Sequence, residues 1–133
     1  MKFSVSSIIR PLLFLSLLAL LILLIRQAYL YATDSPYRIS SAEAKRRIQR
    51  GEVDVILDVR TDLERATLGF YPGSVHIQSA DLEARMPARV PDKKARILAY
   101  CNTGHRARMA TDKLHALGYT NAVYISSQHT SLQ

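Results

Sequence analysis

The chain opens on an apolar block and then changes character. Residues 11–25 carry no charge and one polar side chain, Ser16. Lys2 and Arg10 precede the run and Arg26 follows it. As a helix the run would be about 22 Å long at ~1.5 Å per residue. A bilayer core is about 30 Å thick and takes roughly 20 residues. Adding residues 5–9 and 27–32 completes a span, with Arg10 and Arg26 reaching to the interfaces and Tyr29 and Tyr31 in an aromatic belt. A secretory leader is the competing reading, with Lys2 and Arg10 as its positive region and cleavage after Ala32. Leu30 stands where a small residue is needed for that cleavage, and Arg26 follows the run directly. Residues 1–32 are therefore expected to be an uncleaved membrane anchor. Arg26, Arg38, Lys45, Arg46 and Arg47 cluster after the run, so the following domain leans to the cytoplasmic side of a single-pass protein.

Beyond residues 33–37, a short linker with Asp34, Ser35 and Pro36, the pattern is that of an ordered domain at 38–133. Ser40 and Glu43 have the spacing of a capping box, and a helix is expected to run to about Arg50 with Gly51 as its stop. The β-branched run 53–59 reads as a buried strand. Residues 61–67 are charged and form a helix or turn. Residues 69–73 are a turn cluster and 74–77 a second short strand. A helix capped by Ser79 is expected over 79–86, a third strand over 96–100, a helix over 106–117 ended by Gly118, and a last strand over 122–125. Strands alternating with helices imply an α/β fold, a mostly parallel sheet flanked by helices.

Composition narrows the function classes. The net charge is +7 over 133 residues. Setting aside Lys2, Arg10 and Arg26 leaves 15 basic against 11 acidic residues in the domain, a mild surplus of +4. That surplus suits small anionic substrates or an anionic membrane surface. The tyrosines are scattered, with no basic and aromatic stripe for stacking bases, so no nucleic acid is expected. The run Lys45, Arg46 and Arg47 reads as a solvated face, with membrane-surface contact as the alternative. The single cysteine, Cys101, excludes an internal disulfide scaffold. Cys101 and His105 are too few ligands for a closed metal shell, and no cofactor is implied.

Cys101 ends a buried strand, and a helix begins about five residues later. Ligands of parallel α/β sheets bind at such strand ends. In the intervening Asn102-Thr103-Gly104-His105, Gly104 permits a tight curl. A curled loop entering a helix aims backbone N–H groups at one spot, backed by the positive end of the helix dipole. Arg106 and Arg108 add cations nearby, and His105 lies inside the loop. These surroundings favour a reactive thiolate over an inert buried cysteine.

The same residues carry a resemblance. Asp58-Val59-Arg60 followed by Glu64, then Pro72-Gly73-Ser74-Val75-His76-Ile77, then Cys101-Asn102-Thr103-Gly104-His105-Arg106, resemble in order and spacing the single-domain rhodanese (thiosulfate sulfurtransferase) family across residues 38–125. The resemblance implies that Cys101 takes the outer sulfur of a donor such as thiosulfate. The persulfide so formed would be held by the backbone of residues 102–106 and passed to cyanide or a thiol. It makes Cys101 the catalytic residue and Asn102, Thr103, Gly104, His105 and Arg106 the substrate-binding set. The implied partners are small sulfur-containing anions or protein persulfides and thiols. Arg106 has two open roles, holding a sulfonate or pairing with an internal carboxylate. Arg60 and Glu64 are expected to form a structural ion pair, and His76 to be a satisfied structural residue. The chain differs from the family pattern at Gly69-Phe70, where Gly-His is usual, and at Ala107, where a hydroxyl is frequent. Residues 126–133 stand where a Gly-Gly and Trp-containing closing helix is usual.

Two other functions fit the same loop. Cysteine phosphatases and arsenate reductases place five residues between Cys and Arg, whereas four separate Cys101 from Arg106. A membrane-tethered sulfur carrier, redox sensor or scaffold is the non-enzymatic alternative.

Overall fold

A computed structural model describes residues 4–33 and 35–133, with the side chains of 31–33 left out of the description. Lys2 of the expected positive region and Asp34 of the expected linker lie outside the described residues, as do the side chains of Tyr31 and Ala32. The chain divides at Ser35 and Pro36 into two units.

The first unit holds helix α1 (Val5–Thr33), which contains Pro11. Its segment Val5–Leu30 has a mean hydropathy of 2.8 and is unburied within the chain. At ~1.5 Å per residue it is long enough to cross a bilayer core. Between Pro11 and Ile25 its side chains are apolar on every side but for Ser16.

The second unit holds the rest: α2 (Ser41–Gln49), β1 (Val55–Asp58), α3 (Asp62–Leu68), β2 (Val75–His76), α4 (Leu82–Arg89), β3 (Ile97–Tyr100), α5 (His105–Ala116) and β4 (Ala122–Tyr124). Single 3-10 turns occupy Ser79–Asp81 and His129–Leu132. The four strands form one parallel sheet in the order β2-β1-β3-β4. Alternate residues feed opposite faces, as strand geometry requires. Leu57, Ile97 and Ala99 join Leu82, Met86, Ala110 and Leu114 from α4 and α5. Leu98, Tyr100 and Ile125 face the other way, against Ala44 of α2 and Leu132 of the last turn.

Several local expectations are corrected. Ser40 accepts from the Glu43 N–H, but the Glu43 carboxylate turns away from the cap to Arg46 and Arg47, one turn on. Two cations outcompete one backbone donor. The full capping box is instead at α3, where Thr61 and Glu64 bond reciprocally. Ser79 caps nothing. It opens a 3-10 turn, and α4 starts at Leu82 and runs through Pro87 to Arg89. Leu82 and Met86, four apart, are both wholly buried there and fix that start. The second strand shrinks to two residues, and α5 begins one residue early, at His105.

Candidate functional site

β1 and β3 are central and adjacent, in register from Val55 opposite Ile97 to Asp58 opposite Tyr100. Their carboxyl ends therefore deliver Arg60 and Cys101 to the same edge of the sheet. Cys101 is 1% exposed and packs with the core residues Leu57, Val59 and Ala107. This corrects the expectation that cations and N–H groups alone surround it: one side of the residue is apolar core and the other is loop.

The loop turns on Gly104, whose φ of 92° lies in the left-handed region open to glycine. That conformation aims the Gly104 N–H at the cysteine sulfur, 3.0 Å from Sγ. A Cβ at Gly104 would lie 2.7 Å from the Cα of Ser126. Residues after β4 thus close directly on the loop. Asn102 is half-buried, Thr103 and His105 are exposed, and Arg106 is half-buried. Nothing in the sequence motif pointed to Ser126.

Two carboxylates organise everything around the loop. Glu64 accepts from Arg106 through both terminal guanidinium nitrogens, at 2.6 Å each. It also accepts from Asn102 Nδ2 at 2.8 Å and from the Thr61 backbone and hydroxyl. The Arg106 bonds, more than any other cause, lower its pKa to about 2. Asp58 is wholly buried and holds Arg60, also buried, in a two-pronged pair at 2.9 and 2.8 Å. Tyr100 Oη and Arg65 bond to the same carboxylate. Burial pushes the Asp58 carboxyl up, but Arg60 and Tyr100 outweigh it and the net direction is down. Arg60 also reaches the Gly69 carbonyl at 2.7 Å and Asn102 Oδ1 at 3.4 Å.

The expected Arg60–Glu64 pair is therefore replaced by a crossed arrangement, Arg60 with Asp58 and Glu64 with Arg106. A buried cation must take the nearest buried anion, and Asp58 is two residues away. Arg106 has the carboxylate partner that was one of its two open roles. His76 donates through Nε2 to the Arg60 carbonyl, 2.8 Å away.

His129 was not anticipated. It opens the final turn and is 6% exposed, its ring centroid 5.8 Å from that of Tyr100. Its Nδ1 has no hydrogen-bond partner among the described residues. Burial, then the nearby Arg60, lowers its pKa below 6.5. A cavity of about 540 Å³ lies at the opposite, amino-terminal ends of the strands, between Tyr37, Arg96 and His115. Its Arg47 and Arg96 are paired with Glu43 and Asp54, so it presents little unbalanced charge. Among the described residues, no group of three or more His, Cys, Asp or Glu is placed to hold a metal.

The parallel four-stranded sheet flanked by helices places the domain in the α/β class, with its one cysteine between a strand end and a helix start. Within that class the chain belongs to the rhodanese-like domain family, which matches residues 40–129. Among solved structures it is similar to the human single-domain sulfurtransferase TSTD1, at 25% identity over 73% of this chain and 95% of that one, with a TM-score of 0.60. A Rhodopseudomonas palustris protein described as a possible tyrosine phosphatase shares the fold at 22% identity and a TM-score of 0.66, over 77% of this chain and 83% of that one. A Pseudomonas aeruginosa thiosulfate sulfurtransferase shares it at 22% identity and a TM-score of 0.56, over 71% of this chain and 18% of the larger protein. No curated protein sequence matches the chain.

Proposed function

We propose that the protein is a membrane-tethered sulfurtransferase in which Cys101 accepts a sulfane sulfur from a donor such as thiosulfate, holds it as a persulfide, and passes it to a thiol or cyanide. The carrying observation is the Gly104 N–H at 3.0 Å from Cys101 Sγ, in a loop that places Arg106 only five positions after the cysteine. A donor aimed at sulfur stabilises negative charge on the thiolate and on the outer sulfur of the persulfide. Asn102, Thr103, Gly104, His105 and Arg106 form the walls of that cradle. The near-complete enclosure of Cys101 suits a one-atom cargo better than a tetrahedral oxyanion, which favours sulfur transfer over phosphate ester hydrolysis.

Thiosulfate:cyanide turnover by the full chain in detergent tests the activity, and Cys101→Ser tests the residue. The parent is expected to gain the mass of one sulfur after donor treatment and the serine variant none. A sulfur adduct on the serine variant, or aryl phosphate hydrolysis without sulfur transfer, overturns the reading. The membrane part rests on the length and hydropathy of α1. Alkaline carbonate extraction is expected to leave the full-length chain in the membrane pellet. Release into the supernatant with a new amino terminus near Thr33 would identify a cleaved leader instead.

A further inference from the structure

Every arginine close to the cysteine loop is already committed. Arg60 is two-pronged on Asp58. Arg65 bonds to Asp58 and Ser74 and lies over the Phe70 ring at 3.8 Å. Arg106 gives both terminal nitrogens to Glu64. Arg108 is engaged as well. Glu64 itself stays ionised through the physiological range, since its pKa lies at about 2. The remaining loop group of basic character is the exposed His105.

This distribution matters for what the loop can accept. A donor ending in a sulfonate brings a second charged group to the cysteine and needs a cation to meet it. Here the guanidinium nearest in sequence faces a carboxylate with which it shares a closed fork. An incoming sulfonate would have to break that fork or sit against Glu64. An organic persulfide needs no such cation. Its tail is a carbon chain, and the helix bearing Glu64 offers exposed apolar surface at Leu63, 72% exposed.

We propose that the Glu64–Arg106 fork sets donor specificity, favouring organic persulfides over thiosulfate, with Glu64 as the positioning residue that withholds Arg106 from a sulfonate. This rests on the sulfurtransferase reading above. With a persulfide, the Cys101 thiolate attacks the outer sulfur, the donor S–S bond breaks, and its electron pair leaves on the inner sulfur as a thiolate that takes a proton from water. With thiosulfate the same attack expels sulfite, a dianion, from a loop whose own arginine, Arg106, is already paired with Glu64. The sulfane sulfur moves intact in both cases, and no outside oxidant or reductant is needed.

The test is single-turnover loading of Cys101 in the full chain, followed by mass spectrometry. The donors are thiosulfate and freshly made N-acetylcysteamine persulfide, and each rate is divided by that of the same donor with a free cysteine derivative. The persulfide is expected to lead by about tenfold or more, the worth of one charge-assisted contact. Glu64→Gln is expected to raise the thiosulfate rate and bring the ratio toward unity. Thiosulfate loading of that variant should also fall with added salt, because a freed Arg106 attracts the dianion through a screened interaction. The parent should lack that fall. A wild-type rate with thiosulfate equal to or above that with the persulfide overturns the inference and leaves the sulfurtransferase reading standing. Equal slowing of both donors by Glu64→Gln makes Glu64 a brace alone and also overturns it. No loading of Cys101 by either donor overturns the sulfurtransferase reading itself.

Discussion

Gly104→Ala probes the seam between the cysteine loop and the segment after β4. Two costs add at this position. The φ of 92° places an L-residue in the left-handed region, at about 1–2 kcal/mol. The new Cβ would stand 2.7 Å from Ser126 Cα, 3.0 Å from its Cβ and 3.2 Å from its Oγ. The nearest atom is backbone, so a rotamer change cannot relieve it, and overpacking of this kind costs about 1–3 kcal/mol. A total of roughly 2–5 kcal/mol corresponds to a drop in Tm of roughly 8–40 °C for a domain of this size. Gly118→Ala is the matched control. Its φ is 94°, but its nearest neighbour is Lys93 Cδ at 3.9 Å, so it carries the conformational cost without the clash. The loop variant must also shift the N–H that points at Cys101 Sγ. Losing a charge-assisted bond of about 1.5–3 kcal/mol predicts persulfide formation slowed by roughly 10- to 100-fold. Thermal melts of the full chain in detergent and the rate of sulfur loading on Cys101 are the two readouts. If Gly104→Ala melts no lower than Gly118→Ala and loads sulfur at the parental rate, the seam with Ser126 and the aimed N–H are both wrong.

Two further predictions concern acid. Glu64 titrates at about 2 in the folded chain against 4.5 for an unperturbed carboxyl. Its contribution is therefore complete above about pH 4.5 and is lost as pH falls toward 2. Allowing for solvent screening of a pair that is partly exposed, the loss is about 1–2 kcal/mol. Denaturant melts of Glu64→Gln should lack that part of the decline, and an unchanged slope would refute the pair. His129 runs at higher pH with the same sign. Buried and neutral, with its pKa lowered from 6.5, it binds a proton more readily when unfolded, so its cost appears as pH falls below about 6.5. His129→Leu should flatten the fall in Tm between about pH 7 and 5, and a parallel decline in the two proteins would place His129 in solvent.

Much of the fold was legible because its signals are local. The β-branched run at 53–59 and the stretch 96–100, apolar after Arg96, read as strands, and both are central in the sheet. Gly118 ended α5 where a glycine with positive φ is expected. The apolar block at the amino end became one continuous helix. The errors over polar partners share a cause, which is competition for a polar side chain. Ser40 and Glu43 had the spacing of a capping box, but Arg46 and Arg47 hold the carboxylate. Thr61 and Glu64 had the same spacing and formed the box, a signal present in the sequence and passed over. Spacing gives the candidates for a contact. Which candidate wins depends on charges brought near by folding.

The same limit applies at the site. Cys101, Gly104 and Arg106 were readable because a strand end, a tight curl and a helix start follow from adjacent residues. The groups that hold them were not readable as partners. Glu64, 37 positions before Cys101, fastens both Asn102 and Arg106. Ser126 comes from the other side of the sheet order and leaves no room for a Cβ at Gly104. The residues after β4 are unlike the usual closing helix of the family, yet Leu132 still seals the α2 face and His129 still packs by Tyr100. A closing segment needs apolar burial on one side and contact with the loop on the other. That requirement constrains shape more than sequence, since volume and burial can be met by different side chains. The cysteine loop has no such freedom, because its hydrogen bond to sulfur depends on one backbone conformation that only Gly104 adopts without strain.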